Sequence, residues 1–339
     1  MKKLTLIFFS ICAGLSVNAQ SNLYLNNYWQ DTYMINPASI DLLAPDWKFG
    51  LGSKKQWLQM PGAPLTGQLA VMYCNEAYHS QIGISVITDK IGYTYTTDLG
   101  LSYAYLMFFK KAQLNMGVSI HLQNLFYDKS KMSPEELDDP YIALLDNNWW
   151  KQGRLNSDFG IEYSWRDVSF GSILFGIVAK NFIPPSVFAS DLDIFPNSNY
   201  VYTRYRSNRR DYLAQHATST FDFSIALAGI HTHIPEKTNF LQGMANINVH
   251  WNYEDYIFTV GLMYGTKAEM GIILGLDLLY NFSTSFIYQY NWSVRTDIFN
   301  PIGTFEMVLT YRFQPKGSDK PCKKGGYCLP ERKIPKSLM

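Results

Sequence analysis

Apolar and small polar residues alternate along much of the chain with a period of two. Residues 114–122 read Leu-Asn-Met-Gly-Val-Ser-Ile-His-Leu, so the apolar side chains share one face and Asn115, Gly117, Ser119 and His121 share the other. Successive side chains of a β-strand point to opposite faces, whereas an amphipathic helix repeats every ~3.6 residues, so these runs predict strands. The same alternation recurs in 99–107, 221–227, 245–251, 284–292 and 305–313.

Followed along the whole chain, this pattern predicts fourteen strands. Residues 198–207 show it weakly, but including them gives the even number of strands that bacterial single-chain barrels have. An even number also places the long connections 128–155 and 181–197 at the extracellular end, with both termini periplasmic. The predicted strands are 47–57, 65–74, 80–89, 93–108, 112–127, 156–166, 168–180, 198–207, 218–234, 240–252, 255–265, 268–280, 282–293 and 303–313.

The fold class that fits this pattern is all-β: a transmembrane antiparallel β-barrel of the outer membrane. Hydrophobic residues make up 47% of the chain and aromatic residues 16%, yet the mean hydropathy is −0.13. A membrane barrel combines these values because only every second residue faces lipid. A soluble β-sandwich also alternates, but the long strands, the export signal described next and the Tyr, Trp and Phe residues at strand ends favour the membrane barrel.

Residues 1–19 have the three parts of a secretory signal peptide. Lys2 and Lys3 form the basic start, an apolar stretch follows, and residues 17–19 read Val-Asn-Ala, a small-residue cleavage site. The apolar stretch is shorter than the roughly 20 residues that a helical membrane span needs. We therefore expect export, cleavage and a mature chain that begins at Gln20.

The mature chain divides into three parts. Residues 20–46 precede the first strand, and we expect them to plug the barrel or to seal its periplasmic mouth. Residues 47–313 form the barrel. The tail 314–339 has seven Lys or Arg residues against Asp319 and Glu331, with four prolines, which predicts an extended basic appendage in the periplasm. This tail could dock on a periplasmic partner or on anionic headgroups, or it could remain solvated.

The tail also contains a pair of cysteines. Five residues separate Cys322 from Cys328, a spacing that permits a small disulfide loop in an oxidising periplasm. Two free thiols are the alternative. A metal site fits less well, because two thiolates without a nearby histidine provide too few ligands.

The charge balance of the chain excludes one class of partner. Without Lys2 and Lys3, the 29 basic residues become 27, against 28 acidic residues. A nearly neutral chain is not expected to bind nucleic acid through its charge. The lipid bilayer is the partner that the barrel pattern itself implies.

Catalytic motifs do not stand out in the sequence. There is no phosphate-binding loop, dinucleotide fingerprint or His-Glu-x-x-His motif, and serine and histidine are scattered. His231 and His233 share one strand face, but without a carboxylate or cysteine near them in sequence we expect paired lumenal residues and no metal site. Glu306, Arg312 and Asp98 fall on inward faces, where an ion-pair network is expected ahead of a selectivity filter. We therefore expect no enzyme activity and no cofactor.

The connection 128–155 is a candidate for binding a partner. Residues 133–136 read Ser-Pro-Glu-Glu, which predicts a short helix with a serine cap and proline at its first position. Trp149 and Trp150 follow in the same loop. They either offer apolar surface to a partner or belong to the upper aromatic girdle.

Several short motifs occur in an order that resembles a known family. Their residues are Asn36, Pro37 and Ala38 near the mature N-terminus, Gln56 and Trp57, then Gly62, Ala63 and Pro64, and Glu306 in the closing strand. Over about 20–313 the chain resembles the PorP/SprF family of type IX secretion membrane proteins. It diverges over 181–217, the basic tail is additional, Lys55 stands where arginine is usual, and Phe305 stands where histidine is common.

The resemblance implies an outer-membrane component of the type IX secretion system. Such a protein would bind or anchor a secreted or surface protein through the C-terminal sorting domain of that cargo. It would also contact periplasmic machinery and take part in adhesin anchoring or gliding motility. The alternative function is an outer-membrane transporter or channel for hydrophobic small molecules. An open lumen would favour the transporter, and a sealed lumen with apolar external loops would favour cargo binding.

Overall fold

The computed structural model describes most of the predicted barrel and part of the segment before it. The predicted signal peptide, Trp149 and Trp150, and the tail with Cys322 and Cys328 lie outside the described residues. Residues 26–39, 47–58, 60–75, 78–109, 111–127, 154–167, 171–181, 197–207, 219–233, 240–253, 256–266, 269–278, 281–291 and 303–313 are described.

Fourteen antiparallel strands form one closed barrel, as predicted. Each strand pairs with its neighbours in sequence, and the first strand pairs with the last. The strands are β1 Trp47–Lys55, β2 Leu65–Asn75, β3 Ser80–Ile91, β4 Thr94–Phe108, β5 Ala112–Tyr127, β6 Arg154–Asp167, β7 Gly171–Lys180, β8 Asn197–Arg206, β9 Ser219–His233, β10 Phe240–Tyr253, β11 Tyr256–Gly265, β12 Glu269–Leu278, β13 Phe282–Asn291 and β14 Thr304–Phe313.

The two faces of the sheet are inverted relative to a soluble protein. On β4 and β5, the outward side chains of Leu101 and Ile120 are 61% and 56% exposed. The inward side chains of Asn115 and His121 are buried. Lipid therefore contacts the apolar face, and the polar face fills the interior, as the alternation of the sequence predicts.

The ends of β1 and β14 define the two rims of the barrel. Trp47 lies opposite Phe313 at one rim, here called the near rim, and Lys55 lies opposite Phe305 at the other, here called the far rim. The first strand therefore begins, and the last strand ends, at the same rim. Because successive strands reverse direction, the connections β5–β6 and β7–β8 both lie at the far rim.

Strand boundaries differ from the predictions by a few residues. β1 was predicted to run to residue 57 but ends at Lys55. The reason is local, because Trp57 adopts a positive φ of 47°, which takes the backbone out of the β region. The weakly patterned strand is present as β8, Asn197–Arg206.

Helical structure is minor within the described residues. The described segment before β1 contains one 3-10 helix, Thr32–Met34. None of the described residues forms a helix with the length and apolarity needed to cross a bilayer.

Candidate functional site

Residues 26–39, here called the lumenal segment, lie against the inner face of the barrel wall. Glycines on inward faces leave room for them: a Cβ atom at Gly50 would meet the carboxylate of Asp31, and one at Gly83 would overlap the ring of Tyr33. The segment is one part of the predicted plug region 20–46. Its neighbours 20–25 and 40–46 lie outside the described residues.

The Asn-Pro-Ala motif occupies a notch between β5 and β6. At Gly117 of β5, an added Cβ would overlap the backbone of Pro37 and Ala38. At Gly160 of β6, it would overlap the side-chain oxygen of Asn36. Because the atoms at Gly117 belong to the backbone, the notch requires a glycine there, and the motif fits it closely.

The side chain of Asn36 uses both its donor and its acceptor groups in this notch. The Ala38 N–H donates to Asn36 Oδ1 at 2.9 Å. Asn36 Nδ2 donates to the hydroxyl of Tyr202 at 2.9 Å and to the Ile161 carbonyl oxygen at 3.2 Å. Tyr202 in turn donates to Glu162 Oε2 at 2.6 Å. An amide is needed at position 36, because only an amide both donates and accepts in this arrangement.

A second anchor of the lumenal segment is Glu306 on β14. Its carboxylate oxygens accept the backbone N–H groups of Asn26 at 2.9 Å and Asn27 at 2.6 Å. Glu306 is fully buried, and buried Lys54 faces it across the β1–β14 pair. A buried carboxylate is thus compensated by two charge-assisted hydrogen bonds and a nearby cation.

Polar contacts along the rest of the segment bind it to other strands. Asp31 Oδ1 pairs with Lys48 Nζ on β1 at 3.0 Å, with both side chains buried. The hydroxyl of Tyr33 hydrogen-bonds Ser102 Oγ on β4 at 2.6 Å, and burial raises the pKa of Tyr33 to about 12, so its phenol stays neutral. Gln81 on β3 donates to the Ser39 carbonyl oxygen at 3.0 Å.

Apolar packing adds to these contacts on the opposite side of the lumen. Tyr28, Trp29 and Ile35 form a buried cluster with inward-facing side chains of β7, β8, β9, β11, β12 and β13. A cavity of about 10 Å³ beside Tyr28 and Asp31 has room for about one water molecule. The wall members of this cluster are Leu174, Val178, Tyr200, Tyr202, Ala226, Ile230, Met263, Ile273 and Ile287.

His121 is the centre of a buried charge network. Ser119 Oγ lies 2.8 Å from His121 Nε2, and Asp98 Oδ1 lies 2.7 Å from His121 Nδ1, which looks like a nucleophile, base and acid set. A second carboxylate, Asp158, lies 3.1 Å from Nε2, and Lys180 lies 3.4 Å from Asp158. Carboxylates at both ring nitrogens favour the doubly protonated imidazolium, which has no lone pair to accept a proton from serine.

This network agrees in part with the ion pairs expected from the sequence. Asp98 is paired as predicted, and Lys180 Nζ also reaches the Met34 carbonyl oxygen at 3.4 Å, which links the network to the lumenal segment. Glu306 faces Lys54 across the β1–β14 pair, and its hydrogen-bond partners are backbone groups of the segment. Arg312 NH1 donates to Ser283 Oγ at 2.7 Å.

The second group of motif residues lies at the far rim. The Gln56 N–H donates to the Pro64 carbonyl oxygen at 3.0 Å, which closes the β1–β2 connection. Gly62, with a φ of 73°, accepts from the Gly92 N–H at 2.9 Å, and the Leu58 N–H donates to the Gly303 carbonyl oxygen at 3.3 Å. The β1–β2 connection is therefore hydrogen-bonded to the β3–β4 and β13–β14 connections. These rim contacts are separate from the notch that holds Asn36.

The structure brings together some predicted residues and separates others. Asn36, Pro37, Ala38 and Glu306 all bind the lumenal segment to the wall, whereas Trp57, Ala63 and the other rim residues do not. Within the described part of the chain, no three His, Cys, Asp or Glu residues are grouped so that they could hold a metal ion. No sequence pattern marks the roles of Gly117, Gly160, Tyr202 and Glu162, because these roles depend on contacts between residues that are distant in sequence.

The sequence matches the profile of a known protein family. A family profile described as "Type IX secretion system membrane protein PorP/SprF" matches residues 17–311. This chain belongs to the PorP/SprF family. It is an outer-membrane barrel component of the type IX secretion system, as the resemblance of its motifs implied. No curated protein sequence matches the chain significantly.

Solved structures similar to this PorP/SprF protein are also outer-membrane barrels. The CymD monoaromatic hydrocarbon channel is 11% identical, with a TM-score of 0.46 over 83% of this chain and 92% of that one. The Pseudomonas putida toluene transporter TodX is 9% identical, with a TM-score of 0.46 over 86% and 94%. The Acinetobacter baumannii protein Omp33 is 7% identical, with a TM-score of 0.40 over 80% and 100%. Likenesses at this level carry no conclusion about function.

Proposed function

We propose that this PorP/SprF protein anchors an exported protein at the cell surface by binding its C-terminal sorting domain, and that it contacts periplasmic type IX components. The observation that carries the proposal is the segment bound inside the barrel: the lumenal segment is anchored to β14 by Glu306, to β1 by Lys48 and to the β5–β6 notch by Asn36. A segment bound to the inner wall favours a protein that presents surfaces over one that passes solutes.

The recognition surface in this proposal is the far rim. The long connections between β5 and β6 and between β7 and β8 both lie there, and long loops of membrane barrels are extracellular. The proposal places Trp149 and Trp150 in contact with cargo, because buried aromatic residues dominate the energy of protein interfaces. The near rim, where β14 ends, then faces the periplasm with the basic tail 314–339.

The test is co-purification from native membranes in mild detergent, with identification of the bound proteins. We expect a deletion of 129–154 to abolish recovery of cargo while the barrel still folds, as judged by heat-modifiable gel mobility. A deletion within 182–196, at the same rim, is the matched control and should retain cargo. Recovery of cargo by the 129–154 deletion at the wild-type level would exclude this loop as the recognition surface.

Truncation after Phe313 tests the proposed periplasmic contact. We expect the truncated barrel to insert and to keep its cargo, but to lose a periplasmic partner that the full chain recovers. A charge-neutralised tail with its Lys and Arg replaced by Gln separates electrostatic docking from other contacts. Unchanged recovery of periplasmic proteins by both variants would refute a docking tail.

Transport of hydrophobic small molecules is the competing function. Among the described residues, apolar groups inside the barrel form two packed clusters, one around Tyr28, Trp29 and Ile35 and a smaller one of Tyr33, Ala70 and Met72. Uptake of a monoaromatic hydrocarbon into vesicles reconstituted with the wild-type protein would overturn the anchoring proposal.

We further propose that the protein has no catalytic activity, since His121 is held between two carboxylates and cannot serve as a general base for Ser119.

A further inference from the structure

We propose that the inner wall of the barrel is a peptide-binding site specific for an Asn-Pro-Ala sequence, and that its ligand is the chain's own lumenal segment. The site has two anchors. One is the notch of Gly117 and Gly160, which holds Asn36 to Ala38, and the other is Glu306, which holds the N–H groups of Asn26 and Asn27. This inference concerns the lumen and does not depend on the cargo role proposed above.

The segment is bound to the barrel without being part of its sheet. All fourteen strands pair with a neighbour on both sides, and β1 closes on β14, so the lumenal segment completes no edge. Departure of the segment would leave every backbone ladder of the sheet intact. The wall groups it would leave, such as Glu306 and Lys48, would then be solvated in a water-filled lumen, which lowers the cost of separation. The segment therefore has the properties of a ligand.

The site sets a separate requirement for each residue of the Asn-Pro-Ala sequence. At position 36 it requires an amide, because the Nδ2 group donates to Tyr202 and Ile161 while Oδ1 accepts from Ala38. An aspartate would set a carboxylate against the Ile161 carbonyl oxygen and would have nothing to donate.

At positions 37 and 38 the requirement is steric. A Cβ atom at Gly160 would lie 3.2 Å from Pro37 Cδ, so the proline ring already contacts the floor of the notch. Ala38 is fully buried and its backbone lies against Gly117, so a larger side chain at position 38 would have to displace its neighbours. An Asn-Pro-Ala sequence satisfies all three conditions, and we expect the lumen to conduct less while the site is occupied.

A single added methyl group tests the notch in the full-length protein. Gly117→Ala introduces a Cβ that overlaps the backbone of Pro37 and Ala38, whereas Gly229→Ala introduces one whose nearest neighbours are 4.0 Å away. We expect Gly117→Ala to raise hydrogen exchange at the backbone N–H groups of residues 35, 36, 38 and 39 about tenfold or more, the factor implied by overpacking one methyl. Ion conductance in planar bilayers should rise with it. Gly229→Ala should change neither quantity.

Heat-modifiable gel mobility shows whether each variant has formed a barrel, so an unfolded protein is not mistaken for an opened one. Gly160→Ala provides a second variant with the same expectation if Gly117→Ala does not fold. A folded Gly117→Ala or Gly160→Ala barrel with wild-type exchange and conductance overturns the proposal.

Cutting the connection to β1 tests whether the segment binds as a separate peptide. A protease site introduced within 40–46 of the full chain would detach the segment after the barrel has folded. We expect the cleaved segment to remain bound at first, to be removed by extended washing with rising conductance, and to be replaced by a synthetic peptide of residues 26–39 that restores closure. Peptides with Asn36→Asp or Ala38→Leu should bind at least about tenfold more weakly, the factor that loss of one buried hydrogen bond or one steric fit implies.

The peptide experiment distinguishes a sequence-specific binding site from nonspecific packing of the segment. Saturable rebinding that prefers the native sequence over both altered peptides supports a sequence-specific site. Equal rebinding of all three peptides, or a lumen that stays closed after the cleaved segment has left, refutes it.

Discussion

The carboxylate of Glu306 on the last strand accepts a hydrogen bond of 2.6 Å from the backbone N–H of Asn27, which lies 279 positions earlier in the chain. The other carboxylate oxygen accepts from the Asn26 N–H. One acidic side chain therefore fixes the start of the described lumenal segment to the strand that closes the barrel. The Asn-Pro-Ala motif near the start of the family match and Glu306 near its end therefore both hold the lumenal segment against the barrel wall.

The first prediction concerns this carboxylate. We expect Glu306→Ala to destabilise the protein by about 1–3 kcal/mol for each buried N–H left without an acceptor. Glu306→Gln keeps one acceptor oxygen and should lose less. The measurement is guanidinium unfolding in lipid or detergent, followed by tryptophan fluorescence. A loss well below this range for Glu306→Ala would contradict the assigned role.

The second prediction concerns the hydroxyl of Tyr202, which connects Asn36 to Glu162. Tyr202→Phe removes a donor from a buried carboxylate and an acceptor from a buried amide, so we expect a loss of about 1–3 kcal/mol in unfolding free energy. Tyr264→Phe on the lipid face is the matched control and should lie within about 0.5 kcal/mol of the wild type. Equal stability of the two variants would show that this bridge contributes nothing measurable.

The third prediction concerns the buried pair of Asp31 and Lys48. Removing one partner leaves an uncompensated buried charge, so Asp31→Leu and Lys48→Met should each cost about 3–5 kcal/mol. The double variant Asp31→Leu/Lys48→Met should be closer to the wild type than either single variant. A double-mutant cycle from unfolding curves provides the coupling energy, and strictly additive losses would mean that the pair does not interact.

The fourth prediction concerns the lipid-facing surface. Leu101 is outward and 61% exposed in the middle of β4. Leu101→Arg should cost about 2–4 kcal/mol in folding into phospholipid vesicles, the usual range for arginine at the bilayer midplane. Tyr78→Arg, at a position that is 76% exposed in the β2–β3 connection, should cost about 0–1 kcal/mol, as at the interface. Equal effects at both positions would contradict a bilayer around this face.

The strands could be predicted from the sequence because their signal is local. Alternation within a run such as 114–122 needs only that one face meets lipid and the other the lumen, and β5 follows it. The weakness of the pattern in β8 also has a physical cause. Its inward residues Tyr200 and Tyr202 are large and aromatic because they pack around the lumenal segment, so the usual contrast between faces is reduced there.

The docking of the lumenal segment could not be predicted in the same way. Gly117 and Gly160 look like ordinary small residues of a polar face, and the sequence does not say which of many inward glycines faces a backbone and which faces only a side chain. The alternation of the sequence correctly predicts that Glu306 faces inward. Its partners are backbone N–H groups, and because every residue except proline has one, the sequence cannot indicate which of them bind Glu306.

The pairing of β1 with β14 has a consequence for the order in which the molecule is made. The sheet has no closed form until residues 304–313 have arrived, and the first described residues of the chain have no carboxylate to bind until then. Contacts between the two ends of a polypeptide are slow to form, because a long loop must close first. A chain that lacked its final strand would therefore expose an unpaired sheet edge and leave the leading segment without its Glu306 anchor.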